Sequence, residues 1–150
     1  MFTNYLKKEN IRFVQNVSDW KEAVHLAVEP LIEGGYVSPK YINGIIENTE
    51  YYGAYYVITD HVALLHARPE QGVIDTQFSI TLLDKDIYFL DNKRPARLLI
   101  TLATKNSSDH LEALQAFARL LENEESIRKL IEQKNVDEFY EFLLDATKAM

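Results

Sequence analysis

The chain has 150 residues, 47% hydrophobic and 26% charged, with no cysteine and a formal net charge of -7. Such a length buries about two-thirds of its unfolded surface without a metal or disulfide staple, so a single domain over residues 1–150 is expected. The absence of cysteine excludes disulfides, thiolate metal sites and a cysteine nucleophile. The negative charge disfavours nucleic acid, and neither a signal-peptide core nor an apolar run of about 18 residues occurs, so the expectation is a cytoplasmic protein with no direct membrane insertion.

In chain order, alternation at Ile11 and Phe13 suggests a short edge strand. Ser18 stands where it can cap a helix whose first turn holds Asp19 and Glu22. Trp20, Ala23, Val24, Ala27 and Leu31 recur at three and four, a stripe that contains Pro30 and ends at Gly34-Gly35. Ser38-Pro39 opens a second helix, with Tyr41, Ile42, Ile45 and Ile46 buried and Gly44 a point of close packing; it fades between Thr49 and Gly53. Residues 55–59 and 62–66, YYVIT and VALLH, read as strand, forming either a hairpin or one bent strand. A loop over 68–72 leads to a strand at 78–83. Residues 84–95 then make a polar connection from which Ile87, Tyr88 and Phe89 turn inward, and a well-buried strand covers 97–104.

The remainder is helical. Leu111, Leu114, Phe117, Ala118 and Leu121 line one face of a helix starting near Ser108, capped by Asp109 with Glu112 or by Ser107 or Ser108. Amphipathic helices follow over 126–133 and 136–149. This order is met most simply by an α/β fold, a central sheet with helices on both faces.

Chemistry has few carriers. His25, inside the first helix between Glu22 and Glu29, reads as a surface histidine paired to carboxylate. His66 ends an apolar strand, and His110 follows another strand and the polar loop Lys105-Asn106-Ser107-Ser108, in the first turn of a helix where unpaired amides attract anions. Two such imidazoles can converge on one phosphate or one metal. His61 and His66 have an odd separation and face opposite ways in a continuous strand. There is no HExxH, Gly-x-Ser-x-Gly, Walker loop or Gly-x-Gly-x-x-Gly, so no cofactor is expected. An uncharged imidazole without a metal can accept a phosphoryl group; the alternative is that His66 and His110 are unrelated surface or capping histidines. Arg68 is either a phosphate clamp or the partner of Glu70. Tyr51, Tyr52, Tyr55 and Tyr56 read as core and sheet packing, and Leu64 or Leu65 as part of an apolar ring around His66.

The stretches SPKYINGIIENTEYYGAYYVITDHVALLHARPEQGV (38–73) and LLITLATKNSSDHLEALQAFARLLENEE (98–125) resemble the enzyme IIA domains of the bacterial sugar phosphotransferase system, mannitol/fructose class, in the ascorbate-type subgroup. The resemblance implies a central mixed sheet flanked by helices. It implies His66 as phosphoryl acceptor and His110 as the second histidine supporting the phosphoryl site. The partners implied are the histidine phosphocarrier protein as donor, a cysteine of enzyme IIB as recipient and, indirectly, the membrane enzyme IIC; a homo-oligomer is open. A regulatory, phosphorylation-sensing module of the same fold is the alternative. Leu65 stands where the family pattern has proline, His61 where glycine is common in the turn, and Asn48 near an arginine of the mannitol branch.

Overall fold

The computed structural model describes residues 4–90 and 93–148. Five strands, β1 (Ile11–Val14), β2 (Val57–Thr59), β3 (His61–Leu65), β4 (Gln77–Ile87) and β5 (Ala96–Ala103), form one sheet in the order β1-β4-β5-β3-β2. The sheet is mixed: β1 with β4 and β3 with β5 are parallel, β4 with β5 and β2 with β3 antiparallel. The segment 55–66 is thus a hairpin, and β1 is an edge strand.

Strand parity divides the core into two layers. Ala63, Leu65, Leu99 and Ala103 pack against α1 (Trp20–Glu33) and α2 (Lys40–Tyr52). Val62, Leu64, Phe78, Ile80, Leu98, Ile100 and Leu102 face the other way, against α3 (Ser107–Leu121), α4 (Glu124–Glu132) and α5 (Val136–Lys148). Strands covered on both faces have to be apolar almost throughout, which is why β5 reads as a continuous hydrophobic run. Of the polar exceptions, Ser79 donates its hydroxyl proton to the Ala27 carbonyl at 2.8 Å, fastening α1 to the sheet one turn before Pro30, whereas the Thr81 hydroxyl is buried without a hydrogen-bond partner. No helix among the described residues is long and apolar enough to cross a membrane.

Several local expectations shift. Asp19, not Ser18, caps α1, accepting from the Glu22 amide at 2.8 Å, while the Glu22 carboxylate accepts from the Ser18 amide at 2.9 Å. Pro30 stays inside the helix. Ser38 makes no cap: its hydroxyl is buried without a hydrogen-bond partner, tight against Gly72. Asn106 caps α3 through its side chain, ahead of the serines and Asp109. β4 runs on through Asp84, Lys85 and Asp86, so the polar connection is shorter than expected; Phe89 is buried but Tyr88 points outward. Position 149 and residues 91–92 lie outside the described residues.

Candidate active site

Because β3 and β5 are parallel neighbours, their carboxyl ends lie side by side, with Leu65 opposite Thr101. His66 is the first residue past β3. The chain leaving β5 passes Thr104 and enters α3, bringing His110 to the same end of the sheet. The two imidazole centroids are 5.2 Å apart with planes inclined by 52°. The sequence-derived convergence of these two histidines is therefore present in the structure.

The immediate surroundings set the chemistry of each ring. His66 Nδ1 lies 2.7 Å from the Leu64 carbonyl oxygen. A carbonyl can only accept, so Nδ1 carries the proton and the lone pair of the neutral ring is on Nε2. Burial holds the His66 pKa below its ordinary value; the Leu64 hydrogen bond opposes that, and the nearby His110 charge reinforces it. Burial lowers His110 as well, and its Nδ1 is 3.3 Å from the Thr104 hydroxyl. Near neutral pH both rings are uncharged.

The histidines face a cavity of about 610 Å³, whose wall includes Asn48, Tyr52, Tyr55, Arg68 and Asn106. Tyr55 meets the His66 ring edge to face at 5.4 Å and donates its phenol proton to the His66 carbonyl at 3.2 Å. Behind them Tyr41, fully buried on α2, donates to the Leu102 carbonyl at 2.6 Å and accepts from the Ala67 amide at 3.0 Å. One phenol thus ties the end of β5 to the loop after His66. The loop is fixed a second time by a reciprocal amide pair: Asn48 Nδ2 donates to Gln71 Oε1 at 3.0 Å and Gln71 Nε2 to Asn48 Oδ1 at 3.2 Å. The same Gln71 oxygen accepts the Arg68 amide at 2.8 Å. Gln71 lies so close to α2 that a Cβ on Gly44 would come within 2.9 Å of it, the close packing expected at that glycine. On the β5 side, Thr76 donates to Asp109 at 2.5 Å and accepts from the Lys105 amide at 3.1 Å, pinning the loop that leads to His110.

Residues 4–146 match the family model described as phosphoenolpyruvate-dependent sugar phosphotransferase system, EIIA 2. The chain belongs to this family. The mannitol-specific cryptic phosphotransferase enzyme IIA component of Escherichia coli K12 is 36% identical over 129 residues, 86% of this chain and 88% of the relative. The ascorbate-specific EIIA component of the same strain is 33% identical over 145 residues, 95% and 94% of the two chains. In three dimensions, the solution structure of the Escherichia coli cryptic mannitol enzyme IIA CmtB matches with a TM-score of 0.87, at 32% identity and over 99% of both chains. The mixed sheet covered on both faces is the mannitol-type IIA fold, and the protein is an enzyme IIA component of the sugar phosphotransferase system.

Within this IIA, other expectations change. Tyr51 and Tyr52 close α2 and are 82% and 62% exposed; Tyr55 is half-exposed on the cavity wall, and only Tyr56 is core. Leu64 and Leu65 are both buried in the sheet layers, so the apolar wall beside His66 comes from Tyr52, Tyr55, Ala67 and Pro69 instead. Arg68 holds Glu70 at 2.9 Å. His25 is exposed, but Glu22 and Glu29 are engaged by the Ser18 amide and by Arg12. His61, at the far end of β3, has φ 73° in the left-handed region where glycine is most at ease, and its Nδ1 is 2.9 Å from Asp86.

Tyr41, Tyr55, Thr104 and the Asn48–Gln71 pair were not singled out as site residues from sequence. Tyr41 could have been suspected, because a tyrosine on a buried helix face needs a partner for its hydroxyl. An Asn–Gln contact across 23 residues leaves no periodic signal.

Proposed function

We propose that His66 is the phosphoryl acceptor of this IIA component, taking its group through Nε2 from the histidine phosphocarrier protein and passing it to a cysteine of enzyme IIB, from which enzyme IIC phosphorylates the incoming sugar. The observation that carries the reading is the Leu64 carbonyl on Nδ1, which leaves the lone pair at Nε2 in a cavity shared with a second imidazole. Phosphoryl transfer needs positioning and charge stabilisation more than covalent machinery, and both loops that carry the histidines are pinned.

In the first step an N–P bond forms at Nε2 as the donor's N–P bond breaks, its electron pair returning to the donor nitrogen. The proton stays on Nδ1, hydrogen-bonded to the Leu64 carbonyl, so no proton has to cross. The ring then carries both a proton and a phosphoryl group, and its formal positive charge makes phosphorus a good target for a thiolate. In the second step the S–P bond forms, the N–P bond breaks and the neutral ring is restored. His110 supports the site in the tautomer whose Nδ1, 3.3 Å from the Thr104 hydroxyl, accepts from it, which puts the ring proton on Nε2 for a phosphoryl oxygen.

Incubation with phosphoenolpyruvate, enzyme I and phosphocarrier protein labels the wild type, and His66→Ala removes the label; label surviving that substitution refutes the assignment. His110→Ala keeps the fold and slows transfer by about 10²-fold, the scale of losing one oriented donor. Onward transfer to an enzyme IIB cysteine is the relay; label that forms on His66 but never leaves for any IIB is the regulatory module.

A further inference from the structure

We propose, resting on the reading of His66 as phosphoryl acceptor, that Arg68 is a movable phosphoryl clamp held in reserve by Glu70: once His66 is phosphorylated, the guanidinium leaves the Glu70 carboxylate for the phosphoryl oxygens, and it returns when the group departs. Arg68 is two residues past His66 on the same loop. Its main chain cannot drift, because its amide is held by Gln71 and Gln71 is held by Asn48. Only the side chain is free to swing, and it already lines the cavity. Burial pushes the Tyr55 phenol up, while Asn48 and the Arg68 guanidinium pull it back, so the cation is felt at a ring that touches His66.

Charge gives the direction of the exchange. Among the described residues lining the cavity, Arg68 is the one side chain with a permanent positive charge. Lys105, the next basic residue along the β5 loop, is engaged with Asp75 at 3.3 Å. The Arg68–Glu70 pair is exposed on both sides, and exposed ion pairs contribute little. A phosphoryl group offers a charge of roughly -1.5 to -2 and three acceptor oxygens to a planar fork that suits them, beside the uncharged His110 imidazole. The stronger anion in the drier place wins the guanidinium. Glu70 then acts as a counterweight: by competing for Arg68 it raises the energy of the phosphorylated state and eases release to the next carrier.

The decisive measurement is the equilibrium constant for phosphoryl exchange between the phosphocarrier protein and this IIA, read by 31P NMR with phosphoenolpyruvate and enzyme I. It is independent of how tightly the two proteins dock. Arg68→Gln shifts it about tenfold away from the IIA and raises the titration midpoint of the phosphoryl resonance, because a hydrogen-bonded cation has gone. Glu70→Gln shifts it about two- to threefold the other way. The double variant behaves as Arg68→Gln alone, since Glu70 acts only through Arg68. The clamp is overturned if wild type forms phosphohistidine on His66 while Arg68→Gln changes neither equilibrium nor titration, or if both single variants move the equilibrium in one direction. If wild type forms no phosphohistidine on His66, the acceptor reading fails first and the clamp with it.

Discussion

An imidazole attacks only through a nitrogen that carries no proton, and at position 66 a backbone carbonyl has already chosen which one that is. The choice reaches into pH dependence. His66 and His110 both have folded pKa values below the ordinary 6.5, burial being the first cause in each case. Above pH 6.5 neither state binds a proton at these rings, and they cost nothing. As pH falls below 6.5 the unfolded chain takes up protons that the folded one refuses, so native stability drops. The stability advantage of His66→Gln/His110→Gln over wild type should therefore grow between pH 7.5 and pH 5.5 in denaturant titrations. Equal differences at the two pH values would contradict the burial argument. NMR titration of the two rings should give midpoints below 6.5, so that the proposed acceptor keeps its lone pair in mildly acidic solution, where a free imidazole is mostly protonated.

At the scale of elements, the clasp made by Tyr41 is the most exposed to test. Tyr41→Phe keeps the packing but leaves the Leu102 carbonyl and the Ala67 amide without their partner, so unfolding free energy should fall by about 1–3 kcal/mol. Loss of phosphoryl transfer beyond that fall would report slackening of the loop after His66. Strands and helices were largely readable because burial on one or both faces leaves a period in the sequence: the run ending at Ala103 and the stripe of α1 both sit where their patterns place them. Caps were not, since Ser18 and Asp19, or Asn106 and its two following serines, have equivalent chemistry, and the choice is made by where the helix starts. The run of tyrosines misled for a related reason: α2 continues to Tyr52, and two aromatic residues that would suit a strand face solvent from its last turn. Of the site, the pair of histidines was legible and the braces behind it were not, because Tyr41, Asn48 and Gln71 act across long stretches of chain.

For the molecule as a whole, the two hydrophobic layers share the same central strands, Leu98 serving one and Leu99 the other. Neither layer can dissolve without opening β5. The single tryptophan, Trp20, packs on Phe89 in the α1 layer, whereas α3, α4 and α5 supply the larger share of the helix signal. Tryptophan fluorescence and far-ultraviolet circular dichroism should give one coincident unfolding transition, as expected for one cooperative unit. Separated midpoints would divide the layers into independent units. The borders of the sheet carry a different consequence. β1 offers four residues and β2 only three, the latter broken by an irregular register against β3. Neither rim is long enough for a foreign strand to zip onto it, so the protein is guarded against sticking to a passing chain through its backbone, and its encounters are left to side chains that can let go.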